Sequence, residues 1–231
     1  MSYAIDRARL VDLLGGTASQ RVTCQILPPN FQGYSPYCPF TRDPGTEWSA
    51  PDMDRARRLV MQAGAAGERI RVWASKSEPW SVDLMEQVAA VLDEIGLRAR
   101  LEVVPSQEFF DGAFARPGSP GHPNVVPYYW STGYPGAWEF VYPQYGCGAN
   151  WNVTGFCDRA VDRRIQEARS LQTGDPGSAN RAWSQIEHDL VDSAALVSVA
   201  NPISTFVVSD RAGNVQINPQ FGVLLSQIWV T

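Results

Sequence analysis

Two histidines, four cysteines and a band of aromatic side chains are the residues of this 231-residue chain whose types could do chemistry. A general base needs a neighbour that positions it, and the histidines show none. His122 sits in the turn Pro-Gly-His-Pro and His188 falls mid-helix between Glu187 and Asp189, so both are expected at the surface. No Gly-x-Ser-x-Gly elbow and no phosphate-cradling glycine loop occurs. Asn152-Val153-Thr154 has the form of a glycosylation acceptor, a pattern too short to carry weight by itself.

The cysteines fall in loops. Cys24 and Cys38 bracket a Pro-rich stretch, and Cys147 and Cys157 bracket a Gly/Asn-rich one. An even number placed this way suggests two bridges, Cys24 to Cys38 and Cys147 to Cys157, and an oxidising compartment. Free structural thiols are the alternative. Zinc is the weaker reading, because the gaps are too wide for Cys-x-x-Cys and neither histidine lies near a pair.

The aromatic band is denser in information. Tyr128, Tyr129, Trp130, Tyr134, Trp138, Phe140, Tyr142, Tyr145 and Trp151 fall within a short stretch. Large rings dominate core packing, and Tyr129, Phe140 and Tyr142 are expected there. Trp130, Tyr134, Trp138 and Trp151 adjoin Ser, Gly, Pro and Asn, where the chain turns and loop aromatics face ligands; they are the candidate binding residues.

Alternating elements must position these loops. Apolar spacing predicts helices over 4–14, 52–63, 81–95, 107–115, 158–171 and 178–191, with Gly15, Gly64 and Gly96 as C-terminal stops. Strands are expected over 69–74, 98–104 and 124–130. The strand–helix–strand order of 69–104 requires a partly parallel sheet. Prolines and glycines deny regular structure to 17–51. Two β-branched runs, 196–208 and 215–230, close the chain, broken by Pro202, Gly213 and Pro219.

Composition excludes several classes. Acids outnumber bases 24 to 19 and Lys76 is the one lysine, which leaves no basic face for nucleic acid. Apolar runs such as Val88 to Leu92 are far short of the roughly 20 residues that cross a bilayer. The opening MSYAIDRARL contains no signal-like apolar stretch, which taken alone suggests the cytoplasm and conflicts with the cysteines.

The succession AIDRARLVDLLGG, ILPPNFQGY, PDMDRARRLVMQAGAAGERIRVW, VAAVLDEIGLRARLEVV, YYWSTGYPGAWEF and CGANWNVTGFCDRAVDRRIQEA resembles the C-terminal half of the family 5 solute-binding proteins of ABC transporters. That group binds dipeptides, oligopeptides and nickel. The likeness covers nearly the whole chain in order. It implies an α/β lobe of the type II periplasmic-binding-protein fold, a mixed sheet flanked by helices, with residues 1–210 as the solute-binding lobe and 211–231 returning to an absent N-terminal lobe. It also implies extracytoplasmic work, as a periplasmic protein or a cell-surface lipoprotein whose signal or lipid anchor lies outside this chain, and delivery of a small solute or peptide to permease subunits. No cofactor, metal or covalent chemistry is expected.

The resemblance further implies an aspartate in the turn after the cleft tryptophan, pairing with a peptide's amino group. Here the turn runs Trp130 to Glu139 with Gly133 and Gly136 at the corresponding places, and Glu139 is the one acid within it. The expectation is a solute held by aromatic contact and neutral hydrogen bonds, using Trp130, Tyr134, Trp138, Glu139, Asn150, Trp151 and Asn152. No histidine stands near the band for nickel. Two rivals remain: a secreted glycan-active enzyme with Glu139 and Asp158 as acid and base, and a protein-docking module using the same aromatics.

Overall fold

The computed structural model describes residues 1–115, 117–218 and 222–231; Pro219 lies outside the described residues. Helix α1 (Arg7–Leu13) starts where Asp6 accepts the Arg9 N–H at 3.0 Å, and a short strand β1 (Gln20–Val22) follows. Helix α2 (Met53–Gln62) is capped by Asp52, which accepts the Arg55 N–H at 2.9 Å. Such caps satisfy N–H groups that the first helical turn leaves without partners.

Strand β2 (Arg69–Ser75), helix α3 (Pro79–Glu94) and strand β3 (Arg98–Val104) form the expected βαβ unit, parallel in register from Arg69 opposite Arg98 to Ser75 opposite Val104. Helix α3 begins two residues earlier than its apolar spacing suggests, because Pro79 suits a first helical turn. The freed Ser81 hydroxyl, fully buried, accepts the Ser75 N–H at 3.1 Å and stitches helix to strand. Helix α4 (Ser106–Ala113) follows directly.

Residues 124–130 do not make the expected strand. A single parallel bridge joins Val125 to Val72, with the Trp73 N–H reaching the Val125 carbonyl at 2.9 Å. Pro127 has no N–H to extend a ladder, so the chain leaves the sheet there.

Helix α5 (Ala137–Tyr145) lies where the sequence suggested loop, and it contains Pro143. Helices α6 (Arg159–Leu171) and α7 (Pro176–Asp192) match expectation, capped by Asp158 and Asp175. The tail is less regular than its β-branched content suggested. It consists of β4 (Ala200–Pro202), antiparallel to β1, then β5 (Ala212–Gly213) with β8 (Trp229–Val230) and β6 (Ile217–Asn218) with β7 (Gly222–Val223). Without a sheet to cover it, Val207 is 98% exposed.

Two large hydrophobic clusters organise the chain, beside a smaller one of Trp73, Val104, Phe109 and Ala113. One packs α1, α2 and α3 on β2 around Leu10, Val72, Val88 and Leu92; the other packs α5, α6 and α7 around Tyr145, Ile165, Trp183 and Ile186, with Leu27 inserted. Among the described residues no helix is long and apolar enough to cross a membrane.

Both cysteine pairs are joined, Cys24 to Cys38 and Cys147 to Cys157. The second loop is also held from inside, since the Asn152 amide donates to the Gly146 and Phe156 carbonyls at 3.1 and 2.6 Å. Opening this bridge, which spans 10 residues, should lower stability by about 2 to 3 kcal/mol in the chain-entropy account. Intact mass before and after reduction, with urea unfolding of the double Cys147/Cys157→Ser variant, checks it; crossed connectivity would overturn the pairing.

Candidate functional site

A cleft of about 1490 Å³ opens between the two clusters. Leu10, Leu84 and Val88 line it from one side, Phe31, Phe140 and Leu196 from the other, and the extended segment 122–132 crosses between them. This segment is free to line the cleft because it left the sheet after Val125.

Trp130 is fixed by the proline in α5. Residue 143 has no N–H for the carbonyl four residues earlier, so the Glu139 carbonyl is released, and the Trp130 indole N–H donates to it at 2.8 Å. From Trp130 a chain of rings runs outward. Tyr128 stacks on it at 6.1 Å between centroids, Trp151 meets it edge-on at 5.9 Å, and Phe114 meets Trp151 at 5.2 Å. The Tyr128 hydroxyl donates to the Trp151 carbonyl at 3.3 Å, and burial raises its pKa well above the ordinary phenol value, so the ring stays neutral.

Loop 25–27 forms the opposite wall and hangs on a buried carboxylate. Glu187 of α7 is inaccessible to solvent; its Oε1 accepts the Leu27 N–H at 2.7 Å and its Oε2 accepts the Gln25 amide at 3.0 Å. Burial pushes this acid up to about 7, although the N–H groups of Leu27, Gln25 and Ile26 favour its charged form. Arg7 ties the tail side of the cleft, donating to the carbonyls of Ser198 at 2.9 Å, Ser2 at 3.3 Å and Phe40 at 3.4 Å, and burial lowers its guanidinium to about 10. Neither Glu187 nor Arg7 was singled out from the sequence.

The candidate residues separate. Trp130 lines the cleft, and Trp151, 49% exposed, joins it through ring contact. Trp138 faces the core, 8% exposed, stacked on Tyr142 at 4.3 Å and covered by the Arg169 guanidinium at 4.2 Å. Tyr134 is exposed on the turn, and the Glu139 carboxylate stands 3.8 Å from where a Gly133 Cβ would be, beside the turn and outside the cleft lining. Asn150 is exposed, while the Asn152 amide is committed to its own loop.

Other expectations are corrected. Tyr129, expected in the core, is 64% exposed because the chain has left the sheet, whereas Phe140 and Tyr142 do pack on the core. His122 is half-buried at the cleft, its Nε2 sealed from solvent without a hydrogen-bond partner. His188 is half-buried as well, stacked on Tyr37 at 4.2 Å. The acid–base pair of the glycan-active reading does not assemble: Asp158 caps α6 through the Ala160 and Val161 N–H groups, and no carboxylate side chain is among the described cleft residues. Among the described residues no three His, Cys, Asp or Glu side chains gather as a metal site would require.

A sequence profile of bacterial extracellular solute-binding proteins, family 5 Middle, matches residues 1–152. No curated protein sequence matches the chain significantly. Solved structures do match. Clavulanic acid biosynthesis oligopeptide binding protein 2 gives a TM-score of 0.82 at 20% identity, over 100% of this chain and 42% of that one. HbpA2 from Haemophilus parasuis gives 0.78 at 17%, over 100% and 44%. The ABC transporter-associated periplasmic binding protein DppA from Helicobacter pylori, in complex with peptide STSA, gives 0.73 at 15%, over 99% and 42%. The chain thus spans less than half the length of these structures, and the likeness establishes the type II periplasmic-binding-protein fold.

Two outcomes follow for the walls. For Glu187 the folded value, about 7, lies above the ordinary 4.5, so the folded state holds its proton more tightly, and the stability this supplies is full below pH 4.5 and lost as pH rises through 7. Urea unfolding should show the chain about 2 to 3 kcal/mol less stable near pH 8 than near pH 5 on account of this group, with that component absent in Glu187→Gln. Trp130→Phe keeps the ring but strands the Glu139 carbonyl, and should cost about 1 to 2 kcal/mol in the same assay. An unchanged midpoint would show that water or another donor already serves that carbonyl.

Proposed function

The chain belongs to family 5 of the bacterial extracellular solute-binding proteins, and from that membership we propose that it is part of the substrate-binding component of an ABC importer. Residues 1–210 act as one solute-binding lobe and 211–231 as the segment that crosses to the other. The receptor captures a small solute or oligopeptide between its lobes, closes about a hinge, and presents the closed form to the membrane permease. The observation that carries this reading is the open cleft between the two hydrophobic clusters, with Trp130 fixed on its wall.

Two further features support the setting. Both bridges belong to an oxidising, extracytoplasmic compartment, where the receptor works as a periplasmic protein or as a lipoprotein tethered at the cell surface. Trp130, Tyr134, Trp138, Glu139, Asn150, Trp151 and Asn152 then divide by role. Trp130 and Trp151 touch the solute; Asn152 holds the loop carrying Trp151, and Trp138 anchors α5, the helix whose Glu139 carbonyl fixes Trp130.

A receptor that divides its contacts between two lobes binds weakly through one. Calorimetry should therefore find this 231-residue chain binding the receptor's solute on the order of a hundredfold more weakly than the full-length receptor does. Equal affinity would place the whole site within this chain and refute the two-lobed division.

A further inference from the structure

We infer that the portion of solute held by this lobe is uncharged and flat-faced. This deepens the solute-binding reading above and rests on it. Among the described residues that line the cleft there is not one Asp, Glu, Lys or Arg side chain. In a chain with 43 such residues, a cleft of about 1490 Å³ lined by none of their side chains is a property of the surface and not of the composition; the Met1 amino group also borders it, and burial lowers its pKa and so disfavours its charged form.

A charged group carried into such a cleft gives up its water and meets no side-chain counter-ion among the described lining residues, whereas buried charges in proteins are paired. The acids behind and beside the wall do not change this. Glu187 is sealed from solvent with both oxygens engaged by Leu27 and Gln25, and Glu139 stands beside Gly133 outside the lining. Tyr128 is kept in its neutral form by burial.

What the cleft does offer is ring surface and neutral hydrogen bonding. Tyr128, Trp130 and Phe140 present flat faces, and Trp151 and Phe114 continue the series at the rim. Several lining polar groups are already engaged: the Asn124 Oδ1 accepts the Arg71 N–H, and the Gln144 amide donates to the Phe140 carbonyl. His122 Nε2 and Asn201 Nδ2 are sealed from solvent and so offer nothing to a solute, whereas the exposed Ser131 side chain stands on the open lining beside Trp130. A peptide segment without ionised termini and a neutral saccharide share the chemistry this surface fits, a flat apolar face edged by uncharged donors and acceptors.

The test is a titration of tryptophan fluorescence in the 231-residue chain at millimolar probe concentrations. The probes are Ala-Phe-Ala as its N-acetyl amide, its free-amine amide, its N-acetyl acid and its zwitterion, with maltotriose as the saccharide arm. The expected result is that a neutral probe, capped peptide or maltotriose, binds at least about tenfold more tightly than the charged peptides, and whichever of the two binds names the source. In Ser131→Asp, which puts a carboxylate on the cleft wall beside Trp130, the free-amine amide should gain about tenfold. Preference for a charged form in the wild-type chain, or amine binding that Glu139→Gln abolishes, would overturn the inference while leaving the solute-binding reading in place. No response to any probe in either protein would overturn both.

Discussion

A proline inside a helix sets the geometry of the cleft. Pro143 cannot donate to the Glu139 carbonyl, and a carbonyl without a partner in a packed helix is costly, so another donor must reach it. The Trp130 indole N–H does so at 2.8 Å. One helical defect thereby orients a large ring on a segment that has no sheet to hold it, and Tyr128 and Trp151 assemble against that ring. Preorganised contacts lose less entropy when a ligand arrives, which is the part the tie plays in the solute-binding reading proposed above.

The opposite wall is held by a different device with the same logic. Loop 25–27 has backbone N–H groups that no strand satisfies, and the Glu187 carboxylate accepts from Leu27 directly while gripping the Gln25 amide. Disulfide closure of Cys24 with Cys38 confines the same loop. Arg7 plays the complementary part with three carbonyls and no carboxylate. Glu187 and Arg7 therefore stay behind the walls, and no Asp, Glu, Lys or Arg side chain is among the described residues that line the cleft.

Local signals made much of this frame legible. Asp52 and Asp158 announce their helices as caps, the 69–104 pattern announces a parallel βαβ unit, and the cysteine spacing announces two bridged loops. Nonlocal effects hid the rest. Helix α5 was obscured because Pro143 and aromatic residues spread around the helix remove the usual periodicity, and with it went the core position of Trp138. Glu187 opens the polar run Glu187-His188-Asp189 and looks like part of a solvated face; its burial depends on a loop 160 positions earlier in the chain. The signal that could have found Trp130's role was the proline itself, four residues past a carbonyl in need of a donor, with a tryptophan nearby in sequence.

The most direct test of the cleft as the binding surface is nuclear magnetic resonance mapping of the chain on addition of the best-bound neutral probe. If the cleft is the site, the Trp130 indole N–H and the backbone amides of 25–31 and 196–201 shift together along one binding curve, because these residues line one concavity from separate parts of the chain. Shifts confined to the 133–139 turn or to the tail strands β5 to β8, with the Trp130 indole unmoved, would contradict the account.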